Sequence, residues 1–218
     1  MLKPQGWENI YKEQGEVQVK ILAKVKDSVD LFKRRGFKKI LDLGCGTGRH
    51  AIFLAQNGFE VYATDISNTG LAIAKKKAQD LKLNNIYFAR HDMKDIPFED
   101  NFFDAVLCVL VIDHGTKQDL QKTVNEIYRV LKKDSIVITD FMSTDDETCG
   151  KGIQIEKNTF VGSMEGEDNI AHHYSTEEEL EEFFQNFTQK EIVRNDYIYK
   201  KNNGDEYVIK SFDVKAIK

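Results

Sequence analysis

Polar and apolar positions alternate along this chain with two different periods. From Val17 to Arg35 the period is helical: Leu22, Val25, Val29 and Phe32 fall on one face with charges between them, and Gly36 is a natural stop. A faster rhythm follows. Short apolar runs predict strands at Lys39 to Leu43, Glu60 to Thr64, Asn85 to Ala89, Phe103 to Leu110 and Ser135 to Phe141. Between them, helical periodicity covers Arg49 to Asn57, about Asn68 to Leu83, and Lys117 to Leu131, where Leu120, Val124, Ile127 and Leu131 share a face. Strands alternating with helices at this spacing predict a parallel sheet covered on both faces. Uninterrupted apolar runs such as Ala105 to Ile112 fit strands buried on both sides.

The pattern changes after Met142. A polar stretch to Tyr174 carries an Ile153/Ile155 alternation that predicts a small hairpin, and loops of this length inside a domain are usually functional or partly structured. Thr176 to Phe187 reads as a helix, with Ser175 or Thr176 and a glutamate three residues on forming a capping box. Lys190 to Tyr199 and Glu206 to Ile217, joined by Lys201-Asn202-Asn203-Gly204-Asp205, read as an antiparallel hairpin closing the sheet. The expected fold is α/β, a Rossmann-like, doubly wound and mostly parallel seven-stranded sheet with a C-terminal antiparallel hairpin. The expected organisation is one domain: covering helices in 1–36, a core in 37–141, a substrate-side insertion in 142–175, and a C-terminal helix and hairpin in 176–218.

Composition narrows the class. Hydrophobic residues make up 41% and charged residues 31% of the 218 positions, which is ordinary for a globular chain. The net charge of -5 comes without any basic block, so nothing points to nucleic acid. Cys45, Cys108 and Cys149 are far apart, and no Cys/His spacing suggests a metal, so none is expected. Scattered cysteines fit a reducing compartment. The longest apolar run, Phe102 to Ile112, contains Asp104 and is too short to span a bilayer, and the first residues lack a signal-peptide pattern. A cytoplasmic protein without membrane partners, monomeric or homodimeric, is expected.

The most informative segment is Ile40-Leu41-Asp42-Leu43-Gly44-Cys45-Gly46-Thr47-Gly48-Arg49: a strand ending in an acid, then glycines at every second position, then a helix. Glycines allow tight turning and close backbone approach, and a helix start presents free N–H groups. Ligands of open α/β sheets lie beyond the strand ends where strand order reverses. The dinucleotide fingerprint G-x-G-x-x-G would place a glycine at Arg49, and the Asp42 carboxylate suits an ammonium or hydroxyls better than a pyrophosphate.

These residues resemble the first motif of class I S-adenosylmethionine-dependent methyltransferases, and the similarity continues along the chain. Tyr62-Ala63-Thr64-Asp65 resembles the second motif, Arg90-His91-Asp92-Met93 the third, Phe103-Asp104-Ala105-Val106 the fourth strand, and Glu126 to Lys132 the helix before the fifth. Lys133-Asp134-Ser135 replaces the Pro-Gly-Gly usual there. The resemblance implies a cofactor site at Asp42, Gly44, Cys45, Gly46, Gly48, Asp65, Ile66, Asp92 and Met93. In it Asp65 holds the ribose hydroxyls, Asp92 accepts from the adenine amino group, and Met93 packs on the ring. It implies S-adenosylmethionine as cofactor, S-adenosylhomocysteine as product, and enzyme class EC 2.1.1.-.

No Asn/Asp-Pro-Pro-Tyr/Phe motif follows the fourth strand, where Val111-Ile112-Asp113-His114-Gly115 stands instead, so a small-molecule methyl acceptor is favoured. Trp7-Glu8-Asn9-Ile10-Tyr11, Asn158-Thr159-Phe160 and His172 to Leu180 are similar to segments of small methyltransferases of the tellurite-resistance and quinone-biosynthesis type. In those proteins the N-terminal segment covers the cofactor, which implies contacts from Trp7 and Tyr11. His173, His114 and His172 are the catalytic candidates, histidine being the usual carrier of protons near neutral pH. Transfer from a sulfonium is an in-line displacement that needs little beyond positioning. Two other readings remain: a nicotinamide-dependent oxidoreductase using Asp65 on the ribose, and a non-catalytic protein that binds S-adenosylmethionine.

Overall fold

A computed structural model describes residues 5–200 and 206–218. The central sheet contains β1 (Lys39–Leu43), β2 (Glu60–Asp65), β3 (Ile86–Arg90), β4 (Phe103–Cys108), β5 (Leu131–Met142), β9 (Gln189–Arg194) and β12 (Ser211–Ile217). Its order is β3-β2-β1-β4-β5-β12-β9. β3 through β5 run parallel, and β12 pairs antiparallel with both β5 and β9. The fold is the expected seven-stranded, mostly parallel Rossmann-like sheet.

Side-chain alternation along the strands divides the core in two. Ile40, Ala105, Leu107, Ile136 and Ile138 face α2 (Ala23–Arg34), α3 (Arg49–Gln56) and α4 (Asn68–Asp80). Their strand neighbours Leu41, Val106, Cys108 and Val137 face α5 (Lys117–Val130) and α6 (Glu177–Phe183). A helix layer therefore covers each face. Caps fix where these helices start. Ser67 Oγ accepts from Gly70 N–H, and Thr116 and Thr176 each form a full capping box, with Asp119 and Glu179 respectively.

Several elements depart from the sequence reading. The helix expected over 17–35 begins only at Ala23; a separate helix, α1, occupies Gln5–Gln14 and ends at Gly15, whose φ is +67°. The stretch between them runs irregularly past the strand ends, where Gln18 accepts from Arg49. β4 stops at Cys108, because Leu110 takes a left-handed φ of +59° while its N–H donates to Asp140 Oδ1. The C-terminal hairpin is split. Its distal half is a separate ribbon, β10 (Tyr197–Lys200) with β11 (Glu206–Ile209), and the break lies at Asn195-Asp196 and Lys210. Its predicted turn at 201–205 lies outside the described residues. The 142–174 stretch holds a three-stranded sheet rather than one hairpin: β6 (Ile153–Glu156), β7 (Thr159–Val161) and β8 (Ala171–His173). Among the described residues, no helix is long and apolar enough to cross a membrane.

Candidate cofactor and acceptor site

A cavity opens beyond the C-terminal ends of β1, β2 and β4, where the sheet order reverses between β1 and β4. Its floor is the glycine loop. Cys45 N–H donates to Thr64 O at 2.8 Å and Gly46 N–H to Asp65 Oδ2 at 2.8 Å, so the end of β2 holds the loop in shape. Gly44 has φ +73°, and a Cβ there would lie 2.4 Å from Val111. Only glycine combines that conformation with that approach. Gly48 serves packing instead: it precedes α3 with φ +82°, and a Cβ would lie 2.8 Å from that of Ala74 on α4.

The candidate cofactor residues divide accordingly. Trp7, Tyr11, Gly44, Cys45, Gly46, Asp65, Ile66, Asp92 and Met93 line the cavity. Asp42 and Gly48 do not. Asp42 is buried beneath the loop near the first turn of α3, its Oδ2 without a hydrogen-bond partner, and burial raises its pKa to about 7.

Asp65 is the hinge of this end. Oδ2 accepts from Gly46 N–H and Oδ1 from Ser67 N–H, both at 2.8 Å, while burial pushes its pKa upward against those bonds. Each oxygen keeps a further lone pair. Four polar atoms on the cavity wall are buried without a hydrogen-bond partner: Trp7 Nε1, Thr64 Oγ1, His50 Nε2 and His91 Nε2. Buried polar groups are satisfied in nearly all folded proteins, so four orphans among the residues lining one cavity are unusual.

Helix α1 forms the lid. Glu8 clamps it to the start of α4, accepting from Ser67 Oγ at 2.7 Å, Thr69 Oγ1 at 2.8 Å and Thr69 N–H at 3.1 Å. These bonds, with Ser67 foremost, hold the Glu8 pKa down at about 2. Trp7 packs between the tilted rings of Tyr11, centroids 5.5 Å apart, and His114, 5.2 Å apart.

Beyond Trp7 the wall changes character. His114, Gly115, Asp119, Asn169, Ile170 and Ala171 line it, drawn from the turn after β4, from α5 and from the insertion. His114 and His172 sit opposite each other in an antiparallel backbone bridge, with ring centroids 5.0 Å apart. The strand pleat separates His172 from His173. His172 Nε2 lies 2.8 Å from Glu167 Oε2. His173 is turned to the other side, 2.7 Å from Thr159 Oγ1 and 3.3 Å from Glu179 Oε2, and does not line the cavity. Of the three candidate histidines, then, only His114 reaches the wall; His172 backs it, and His173 ties β8 to β7 and α6. Burial, with His172 close by, lowers the His114 pKa to about 4, so its imidazole is neutral near pH 7.

A buried ion pair supports both ends from below. Lys24 Nζ donates to Asp140 at 2.8 Å and also pairs with Asp213, while Asp140 accepts from Leu110 N–H at 2.7 Å. Sequence reading did not single out Gln18, His50, Thr64, His91 or Glu167. Thr64 and His91 lie inside the second and third motif segments, next to Asp65 and Asp92, and were the most readable of these.

Comparison with known proteins agrees with this geometry. Residues 40–134 match a family model described as a methyltransferase domain. A Bacillus subtilis chain, YqeM, which carries a provisional methyltransferase name, is 39% identical over 108 residues, covering 49% of this chain and 43% of its own length. Demethylmenaquinone methyltransferase of Thermus thermophilus is 38% identical over 106 residues, 48% of this chain and 47% of its own. The chain thus aligns with less than half the length of each of these curated relatives. Among solved structures, an S-adenosylmethionine-dependent methyltransferase from Methanosarcina mazei superposes with a TM-score of 0.69 at 22% identity, over 84% of this chain and 92% of that one. Residues 40–134 are thus similar to a methyltransferase domain, and the motif residues of that segment gather at one cavity on this sheet.

Proposed function

We propose that the cavity binds S-adenosylmethionine and that the protein transfers its methyl group to a small-molecule acceptor held between α1, the turn after β4 and the 142–175 insertion. The observation that carries this reading is the glycine loop braced by Asp65 at the floor of a single cavity. When bound, the cofactor supplies a methyl already activated on a sulfonium. The residues present fit it. Asp65 retains acceptor capacity for ribose hydroxyls, Asp92 and Met93 line the same cavity and would meet the adenine, and the glycine loop forms its floor. Tyr11 and Trp7 close the cavity from above, which excludes water and fixes the acceptor near the methyl; such positioning contributes about 7–11 kcal/mol of barrier lowering.

His114, with His172 and Glu167 behind it, supplies the polar chemistry at the acceptor end. His173 acts in this reading as a structural residue. The spacing of Gly44, Gly46 and Gly48 stands against a nicotinamide cofactor. Thermal unfolding separates these readings. At about 100 times its Kd a ligand adds about 2.7 kcal/mol, which for a chain of this size raises Tm by about 5–10 °C. S-adenosylmethionine and S-adenosylhomocysteine are expected to give that rise and NAD none. A rise with NAD alone contradicts the proposal. Binding of both adenosyl ligands without turnover on a broad acceptor panel points to a non-catalytic binding protein.

A further inference from the structure

We propose that His114, Glu167 and His172 form a binding site for one divalent transition-metal ion of the zinc class, at the acceptor end of the cavity. Their three candidate ligand atoms all lie within 4.8 Å of one another. Both histidines direct Nε2 to the same carboxylate oxygen, Glu167 Oε2, at 2.8 Å for His172 and 3.9 Å for His114. Metal–ligand bonds of about 2.0–2.2 Å in a tetrahedral site set ligand atoms about 3.3 Å apart. The observed pair distances bracket that value, so small side-chain adjustments suffice to close around an ion.

Glu167 Oε2 and His172 Nε2 are buried 2.8 Å apart, an ion pair whose geometry misses an aligned hydrogen bond. A metal ion would take the place of the proton that the two atoms share. His172 is 1% exposed and Glu167 15%, and burying a carboxylate beside two imidazoles is costly unless the group is paired or coordinates a metal. The other ring nitrogen of His172, Nδ1, lies 3.4 Å from Ser163 Oγ, which is itself 2.9 Å from the Tyr174 hydroxyl. Such an outer partner fixes the ring and tautomer of a ligating histidine. The donor set, two imidazoles and one carboxylate, is that of sites which keep an open coordination position. Of the three, His114 lines the cavity, with Glu167 and His172 behind it, so an ion held here would lie next to the cavity wall. The position suits an acceptor hydroxyl or thiol, which a divalent ion would orient and make easier to deprotonate. None of this was visible in the sequence spacing, because the ligands come from a β-turn, a loop and a strand up to 58 residues apart.

The inference rests on the reading of the cavity as a cofactor and acceptor site, and its test is independent of turnover. The full chain, stripped with a chelator and dialysed, is titrated with zinc chloride against a chromophoric zinc indicator. One equivalent per chain is expected. Glu167→Gln, which conserves volume, and His172→Ala should each weaken binding by about 100-fold or more, and Ser163→Ala by about 10-fold, since outer-shell changes alone cost about 10–100-fold. Cys149→Ser, outside the cavity, should keep full stoichiometry and so exclude a thiolate site. Retention of the S-adenosylmethionine thermal shift in each variant shows that it is folded. No zinc bound above background, or equal binding by the wild type and a His114→Ala/His172→Ala double variant, overturns the metal site. It leaves the cofactor reading standing if the thermal shift persists. Zinc binding without any adenosyl shift leaves the metal site standing and overturns the cofactor reading.

Discussion

The two ends of the cavity are built in different ways. The cofactor end comes from consecutive strand ends, each followed within a few residues by the group that matters: the glycine loop after β1, Asp65 closing β2, and His91 to Met93 after β3. Its hydrogen bonds are short and mostly from backbone to carboxylate. The acceptor end is assembled from α1, the turn after β4, α5 and the three-stranded insertion, and its contacts are between rings and buried side chains. A sheet can hold the first end by topology alone. The second depends on long-range packing, and it is there that such a fold can vary its acceptor without disturbing the cofactor.

The scaffold beneath both ends is the most severe place to break the comparison. Lys24→Ala leaves Asp140 buried without its cation, a change that costs about 3–5 kcal/mol. Chemical denaturation should show that loss, with both ends failing together because Asp140 also holds Leu110. Gly44→Ala strikes the cofactor end selectively. Left-handed strain and the approach to Val111 together cost about 2–5 kcal/mol, and cofactor affinity should fall with stability. Asp65→Asn should act on affinity more than on stability. It exchanges one carboxylate oxygen for an amide that cannot accept from Gly46 or Ser67, which predicts a Kd about 10–100-fold weaker by calorimetry.

How legible each end was follows from the same difference. The sheet, its helices and the cap at Thr176 were readable because each rests on local periodicity or on a spacing of three residues. So were the cavity positions of Asp65, Asp92 and Met93. Asp42 stands off the cavity wall, buried beneath the loop; in sequence a motif acid looks alike whether it meets a ligand or a helix start. The helix expected from Val17 failed because Gly15 ends α1 and the stretch after it is held by Gln18 and Arg49 rather than by an apolar face. His172 and His173 were indistinguishable as neighbours until the pleat of β8 sent them to opposite sides. Glu167 carried no local signal at all, since its partners lie 5 and 53 residues away in sequence.

The smallest predicted effect concerns the lid that joins the two ends. The folded-state pKa of Glu8, about 2, lies below its ordinary value of 4.5, so the clamp's contribution is full above pH 4.5. It is lost as pH falls from about 4.5 to about 2, when the folded protein takes up the proton. Trp7 is the only tryptophan and sits on that helix, so its fluorescence reports the release of α1. Glu8→Gln should remove the acid transition between those values and loosen the lid modestly at neutral pH. An unchanged transition in the variant assigns it to other carboxylates.

The most direct test of a cavity with separable ends is calorimetric titration of S-adenosylmethionine into the wild type, Asp65→Ala and His114→Ala. The account predicts one site per chain in the wild type, loss of binding in Asp65→Ala, and an affinity within about threefold of wild type, roughly 0.65 kcal/mol, in His114→Ala. Equal loss in both variants, or undiminished binding in Asp65→Ala, contradicts it.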